Sequence, residues 1–342
     1  MTKVTNIKKR WLVASILSNP YVIMTAFAFL EVLYCLITDN IWMLRILIIC
    51  NIYALYASSW DLVGGFLGQV SLGHALFFGG AAYVSSLFNL HFGIPLVFAI
   101  ILGVMSGVVF ALILGLPTLR LKGPYFSVVT MVTPMVFVAI IFMYPVALGG
   151  DCGFTGFSTF GSDIKLQFLI VLIISLISIL LMLKISRSNF GLILKAIRED
   201  DLAAEAAGLN ITKYKIINFI ISGVFASLAG VLFVHFQGAV APAMLEGLSS
   251  MMPIMMTMIG GIGTVVGPVI GSYVINFLNE YLVGQPEYRV VLYCIITILI
   301  LRFSPEGIMG WVKRGVGRIT LQHGTDKADL LMITLKKWHA KD

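Results

Sequence analysis

Three polar side chains, Gln69, Ser71 and His74, sit in the apolar stretch GFLGQVSLGHALFFGG at residues 65–80. A serine three residues before a histidine is close enough on a helix for a hydroxyl to reach an imidazole. Such a pair is the start of a nucleophile-and-base arrangement. The chemistry also needs a third group to orient the base, and no clear one stands nearby. Two other uses remain. Polar groups in an apolar helix bond to a neighbouring helix, or they meet a solute passing through. At 100° per residue, Ser71, His74, Ala75, Phe78 and Ala82 share one helical face. Gln69 points elsewhere. Ser71, Ala75 and Gly79 form a small-residue stripe that permits close helix approach. Gln69, Ser71, His74 and Phe78 are therefore read as translocation pathway or helix packing.

Other chemistries find no residues to carry them. There is no G-x-x-x-x-G-K-[ST] phosphate loop and no H-E-x-x-H pair. Cys35, Cys50, Cys152 and Cys294 are scattered, without the close spacing of a metal site or disulfide framework. No catalytic residue, metal or cofactor is assigned to this chain.

The solvent of these residues follows from composition. The chain has 342 residues, 59% hydrophobic and 11% charged, against about 25% charged in soluble domains. A soluble protein of this length still needs a polar surface, so much of the surface must face lipid. Apolar runs long enough to cross a bilayer lie near 21–38, 41–58, 69–88, 94–115, 124–146, 167–184, 214–236 and 288–303. The region 251–283 is too long for one simple span and is interrupted by GGIGTVVGP at 260–268. It reads as two short segments, 250–262 and 265–283, crossing separately or forming a re-entrant hairpin. The expected fold class is an all-α polytopic membrane protein of about eight to ten transmembrane helices.

The net charge of +7 fits this topology. Residues 1–10 hold four Lys or Arg, Arg120 and Lys122 add two, 184–215 hold six and 302–342 hold eight, which is 20 of the 23. An even number of spans with both termini cytoplasmic puts all of these inside, as the positive-inside rule requires. Nucleic acid is not needed to explain the charge; contact of the C-terminal tail with anionic membrane lipid is open. The expected organisation is a cytoplasmic segment at 1–20, a transmembrane domain at 21–303 and a cytoplasmic tail at 304–342. The N-terminal KKRW before an apolar run has the look of a signal peptide, but the run is long and lacks a small-residue cleavage site, so it reads as a retained anchor.

The longest non-membrane piece before the tail is SRSNFGLILKAIREDDLAAEAAGLNITKYK at 186–215. Its composition predicts a helix over 192–207, with Leu194, Ile197, Leu202 and Ala206 as an incomplete apolar stripe. Gly208 suits the helix C-cap. A short helix between two spans is a compact knob that can dock in a groove of a cytoplasmic partner.

This loop resembles the EAA-type coupling loop of bacterial ABC importer permeases. More narrowly, the chain resembles the permeases of high-affinity branched-chain amino acid transporters, of the LivM-type subunit. The blocks are S-x-x-G-x-x-x-x-A-I-R-E-D-x-x-A-A-E-A-x-G in the loop, DLVGGFLGQVSLGHALFFGGAAY (61–83), LRLKGPYFSVVTM (119–131), IGGIGTVVGPVIG (259–271) and RFSPEGIMG (302–310). Pro124 and Pro134 depart from the family's usual polar, acidic or small residues. The resemblance implies a permease subunit in the bacterial inner or plasma membrane, translocating leucine, isoleucine or valine by alternating access. It implies a second related permease, two cytoplasmic ABC ATPase subunits that hold ATP and Mg, and an extracytoplasmic binding protein. It makes Ala196, Arg198, Glu199, Asp200, Glu205, Ala206 and Gly208 the ATPase-coupling loop. Permeases for urea, short amides or other amino acids are related alternatives.

Glycines 260, 261, 263 and 267 form either a hinge or gate beside the pathway or a close packing seam. Glu31 and Arg45 fall in the outer halves of the first two spans. An inter-helix pair would reduce the cost of two charges there; Arg45 snorkelling to the interface is the alternative. The Gly-rich loop YPVALGGDCGFTGFSTFGSD (144–163) is expected on the outer surface, where Asp151 and Asp163 would meet a partner or solvent. A stand-alone secondary transporter or channel is the rival class. An ion-coupled carrier should bury acids in several spans, and Glu31 is nearly the only one.

Overall fold

The computed structural model describes residues 19–118, 124–282, 286–304 and 306–310. The basic residues 1–10, Arg120, Lys122 and the tail beyond 310 lie outside that set. Thirteen α-helices follow in order among the described residues: α1 Pro20–Ile37, α2 Ile41–Asp61, α3 Ala81–Phe92, α4 Leu96–Thr118, α5 Pro124–Met143, the single turn α6 Pro145–Leu148, α7 Ile164–Arg187, α8 Asn189–Glu199, α9 Asp201–Ala206, α10 Ile211–Gln237, α11 Gly247–Gly260, α12 Val266–Tyr281 and α13 Pro286–Phe303. The only sheet among these residues is two short antiparallel strands, β1 Phe154–Thr155 and β2 Ala239–Val240, pairing Phe154 with Val240.

Polar caps write many of the helix boundaries. The Asn19, Asn40, Asp163 and Asn210 side chains accept the exposed N–H groups that open α1, α2, α7 and α10, which would otherwise be unsatisfied at a helix start. Seven helical stretches are long and apolar enough to cross a membrane: Pro20–Ile37, Ile41–Phe66, Leu96–Thr118, Pro124–Met143, Ile164–Arg187, Ile211–Gln237 and Val291–Gly310. Helices α3, α11 and α12 are shorter. The region around 250–283 is thus broken as expected, into α11 and α12 packed against each other.

Helix α2 is the axis of the bundle. It packs against α7, α10, α11 and α12, and 61% of its apolar window is buried, compared with 22% for α4 and for α5. Helices α4 and α10 meet along small residues: a Cβ on Gly107 would overlap Ser227, and one on Gly103 would press on Val231 and Ser85. Van der Waals contact between close backbones holds such pairs where lipid removes the hydrophobic driving force.

Two sequence expectations are corrected. The third span was expected as a helix from 69, but residues 67–73 are not helical, and the helix begins only at His74, with a π-turn at Leu76–Gly80. Glycines 64, 65, 68 and 73 weaken the helix, and side chains from other helices take over the backbone groups. Leu72 N–H donates to Thr130 Oγ1 (3.1 Å), Ala75 N–H to Ser250 Oγ (3.3 Å), and the Val70 and Ser71 carbonyls accept from Ser127 Oγ (2.6 Å) and Trp60 Nε1 (2.8 Å). Irregular backbone at this position persists because protein satisfies it. The loop helix expected over 192–207 is likewise two helices, α8 and α9. The break is Asp200, extended at φ −156°, whose carboxylate accepts from Leu202 and Ala203 N–H (2.9 and 3.1 Å). An N-cap in mid-segment ends one helix and starts the next.

Candidate functional site

The π-helical continuation of α2 at Leu62–Phe66, the irregular segment 67–73 that follows it and the break at 261–265 meet at one end of the bundle. Their link is Asp61, the last residue of α2, which is fully buried. One carboxylate oxygen accepts from Gly263 N–H (2.6 Å), the other from Thr264 and Val265 N–H (3.0 and 2.9 Å). Three charge-assisted bonds from successive amides make a cradle for the carboxylate. Val265 is the one non-glycine residue with positive φ (61°) among the described residues, a conformation unfavourable to a β-branched side chain. It is held from both sides, by Asp61 at its N–H and by Ser58 Oγ at its carbonyl (3.0 Å). Neighbouring structure that fixes both ends is what keeps such strain in place.

Helix α8 lies on this junction. Leu194 and Ile197 are buried against the bundle, while Ala196, Glu199 and Asp200 are exposed. Arg198 reaches from the α8 surface and donates through Nη1 to the Gly65 carbonyl. Its methylenes cross Gly68, where a Cβ would come within 2.8 Å of Arg198 Cγ. One turn earlier, the Lys195 ammonium stands 5.2 Å from the Phe66 ring centroid. Helix α9 is tied to α10 by the Lys215–Asp201 ion pair (2.8 Å). Ala204 is buried, but Leu202 is 67% exposed, and Glu205 and Ala206 also face outward. The expected single stripe is therefore split: Leu194 and Ile197 face the bundle, and Leu202 and Ala206 face away. Gly208 takes φ +86° as its C-cap position predicts.

His74 and Phe78 come together around Tyr56, while Ser71 precedes the helix and does not share their face, its carbonyl accepting from Trp60 Nε1. Ser71, His74 and Phe78 are 0%, 0% and 2% exposed. His74 Nε2 lies 2.9 Å from Ser222 Oγ, and Ser222 donates to the Ser59 carbonyl (2.6 Å). With the serine proton committed there, Nε2 is the donor to Ser222, and Nδ1 is left as a buried acceptor without a partner. The Tyr56 and Phe77 rings enclose the imidazole at 6.2 and 5.4 Å, and Phe78 packs on Tyr56, Tyr53 and Phe233. Gln69 is half-buried beside this cluster in sequence, with Oε1 unpartnered. The four glycines divide by cause. Gly260 and Gly267 pack face to face, the carbonyl of Gly267 filling the place of a Cβ on Gly260, whereas Gly261 and Gly263 adopt φ of +127° and +73°.

Glu31 and Arg45 do not pair. The Glu31 carboxyl accepts from Asn51 Nδ2 (3.1 Å) and from the Tyr273 hydroxyl, joining α1, α2 and α12. The Arg45 guanidinium lies over Phe236 at 5.9 Å. Hydrogen bonds from uncharged donors on α2 and α12 thus take the place of an ion pair. At the other end of the bundle, β1–β2 and the 144–163 loop are pinned by His235, whose Nδ1 is 2.7 Å from the Ser158 carbonyl, and by Asn89 Oδ1, which accepts from Ser158 N–H (2.6 Å). Lys165 pairs with Asp39 there (2.6 Å) and holds its carboxyl below the usual carboxylate range. No three His, Cys, Asp or Glu side chains among the described residues are grouped to hold a metal ion.

Sequence reasoning named the glycine breaks and Arg198 but gave no role to Asp61, Ser222 or Asn218, which donates to the Leu62 carbonyl (2.8 Å). A carboxylate closing an apolar helix was the available signal for Asp61.

Apolar helices around buried polar junctions define a multi-pass helical membrane protein. Residues 42–301 match the family described as "Branched-chain amino acid transport system / permease component". The chain belongs to that family, a permease component of a transport system. It is 22% identical to the high-affinity branched-chain amino acid transport system permease protein LivM of Escherichia coli K12, over 81% of this chain and 72% of that one. It is 28% identical to the probable LivM of Methanocaldococcus jannaschii, over 72% and 81%. The Escherichia coli K12 permease protein LivH is 28% identical over a shorter stretch, 44% of this chain and 50% of its own.

Proposed function

We propose that this chain is the membrane-spanning permease subunit of an ABC importer that moves leucine, isoleucine and valine by alternating access. Hydrolysis takes place in partner chains: two cytoplasmic ATPases, which bind ATP and Mg and dock on α8–α9. The observation that carries the reading is the build of α8–α9. This helix pair between two spans buries Leu194, Ile197 and Ala204 against the bundle. It turns Leu202, Glu205 and Ala206 outward, and it grips the glycine break through Arg198. A knob with an apolar outward residue and a polar grip inward suits a partner that pushes on it. Similarity to both LivM and LivH relatives supports a second, related permease subunit beside this one. The 144–163 loop would meet an extracytoplasmic binding protein that delivers the amino acid. The membrane is then the bacterial cell membrane, with both termini inside.

Co-expression with the ATPase, second permease and binding-protein chains, followed by purification through this chain and reconstitution in vesicles, tests the reading. ATPase subunits should co-purify, and leucine uptake should require ATP and the binding protein. Uptake by this chain alone under an ion gradient would instead support a stand-alone secondary transporter. Uptake of urea or short amides in preference to leucine would move the substrate to that branch.

A further inference from the structure

Residues 61–68, the π-helical continuation of α2 and the start of the first break, and residues 261–265, the second break, are separated by some 200 positions in sequence, yet they form one block. Asp61 binds three successive amides of the second break. Gly65 lies so close to Gly263 that a Cβ on it would meet Gly263 N at 2.6 Å, and it would overlap the Asp61 carboxylate too. Neither segment can slide on the other without giving up those bonds. Each break leads directly into a different part of the bundle: the first into the Ser71–His74 stretch, the second through Val265 into α12. Two cationic side chains of α8 rest on this block, Arg198 on the Gly65 carbonyl and Gly68, and Lys195 on Phe66. Arg198 Nη1 is also 3.6 Å from where a Gly263 Cβ would stand, so its guanidinium sits where both breaks meet.

We propose that Arg198 and Asp61 are positioning residues that couple α8 to both membrane interruptions at once. Asp61 locks the two breaks into one body, and Arg198 fastens that body to the coupling segment. Displacement of α8 then shifts the start of the His74 helix and the start of α12 in a single step, rather than through a loop that yields between them. This rests on the ABC-importer reading. The guanidinium suits the task because its donors are spread in a rigid plane while its methylenes cover Gly68. Gly68 leaves room for them, and any side chain there would displace them.

The test uses the assembled transporter in vesicles, comparing wild type with Arg198→Ala and Arg198→Lys. Three quantities are read: ATPase subunits retained per permease, melting temperature, and leucine taken up per ATP hydrolysed. Arg198→Ala should retain the ATPase subunits and melt within a few degrees of wild type, the effect of one lost hydrogen bond. Its uptake per ATP should fall by about tenfold or more, the size expected for one charge-assisted hydrogen bond. Arg198→Lys, which keeps a donor and the methylenes, should recover part of the loss. Wild-type uptake per ATP in Arg198→Ala overturns the coupling role. Loss of the ATPase subunits from Arg198→Ala also overturns it, since Arg198 would then be a docking contact. A wild type that binds no ATPase, or whose uptake needs no ATP, brings down the importer reading itself, and is distinguished by the wild-type arm alone.

Discussion

Gly260→Ala should destabilise the bundle at the α11–α12 crossing. A Cβ on Gly260 would occupy the place of the Gly267 carbonyl, and the nearby Gly271 faces the Met256 carbonyl in the same way. The obstacle is backbone on a packed helix, so no rotamer change relieves it. Overpacking costs about 1–3 kcal/mol, and the upper part of that range is expected here. The control is Gly247→Ala. Gly247 opens the same helix, has no atom within 4 Å of a Cβ and has no positive φ. It should be neutral or stabilising by under about 1 kcal/mol, since alanine is the better helix former. Thermal unfolding in detergent can be followed by thiol labelling of Cys35 and Cys50, which are buried, after replacing the exposed Cys152 and Cys294 with serine. Gly260→Ala should melt several degrees below Gly247→Ala. Equal melting temperatures would refute close backbone packing, and with it the division of the four glycines into packing and conformational pairs.

Gly208→Val should cost roughly 1–2 kcal/mol, and only locally, because the left-handed φ is unfavourable while no atom crowds the site; in the assembled complex it should weaken ATPase retention, measured by co-purification, with unchanged retention refuting a shaping role. His74→Ala should destabilise by about 2–4 kcal/mol through the cavity left in a fully enclosed cluster. Ser71→Ala should change little, since its Oγ takes only a 3.4 Å bond from Gly73 N–H; uptake lost from His74→Ala at an unchanged melting temperature would show a pathway role instead. Glu31→Leu should cost about 1–3 kcal/mol by taking the acceptor from the Tyr273 hydroxyl and one of two acceptors from Asn51 Nδ2, which keeps the Leu47 carbonyl (3.0 Å), and Arg45→Leu about 0.5–1 kcal/mol. The double variant should be additive within about 0.5 kcal/mol; strong coupling in that cycle would mean that the two charges pair after all.

Composition alone required a lipid-facing protein, because so few charges cannot cover a soluble surface, and apolar runs of about 20 residues made its spans helices. Periodicity and length placed seven of the apolar stretches on helices long enough to cross, and the glycine run at 260–268 marked the break between α11 and α12. The helical character of the 186–215 loop was legible from its composition, and the end of that helical stretch from Gly208, whose positive φ only glycine adopts without cost. These are local properties: hydropathy, helix propensity and backbone freedom act within a turn or two of the residue that carries them. What replaces a helix where it fails is a matter of partners far along the chain. The segment 67–73 is irregular because Thr130, Ser127, Ser250 and Trp60 reach it from other helices. Glu31 chose Asn51 and Tyr273 over Arg45 because those groups face it across the helix contacts. Asp61, unremarkable as one acid closing an apolar run, became the tie between two interruptions some 200 residues apart. Only the packed bundle brings those amides to its carboxylate, and only burial makes the alternative, an unsatisfied charge, too costly to tolerate.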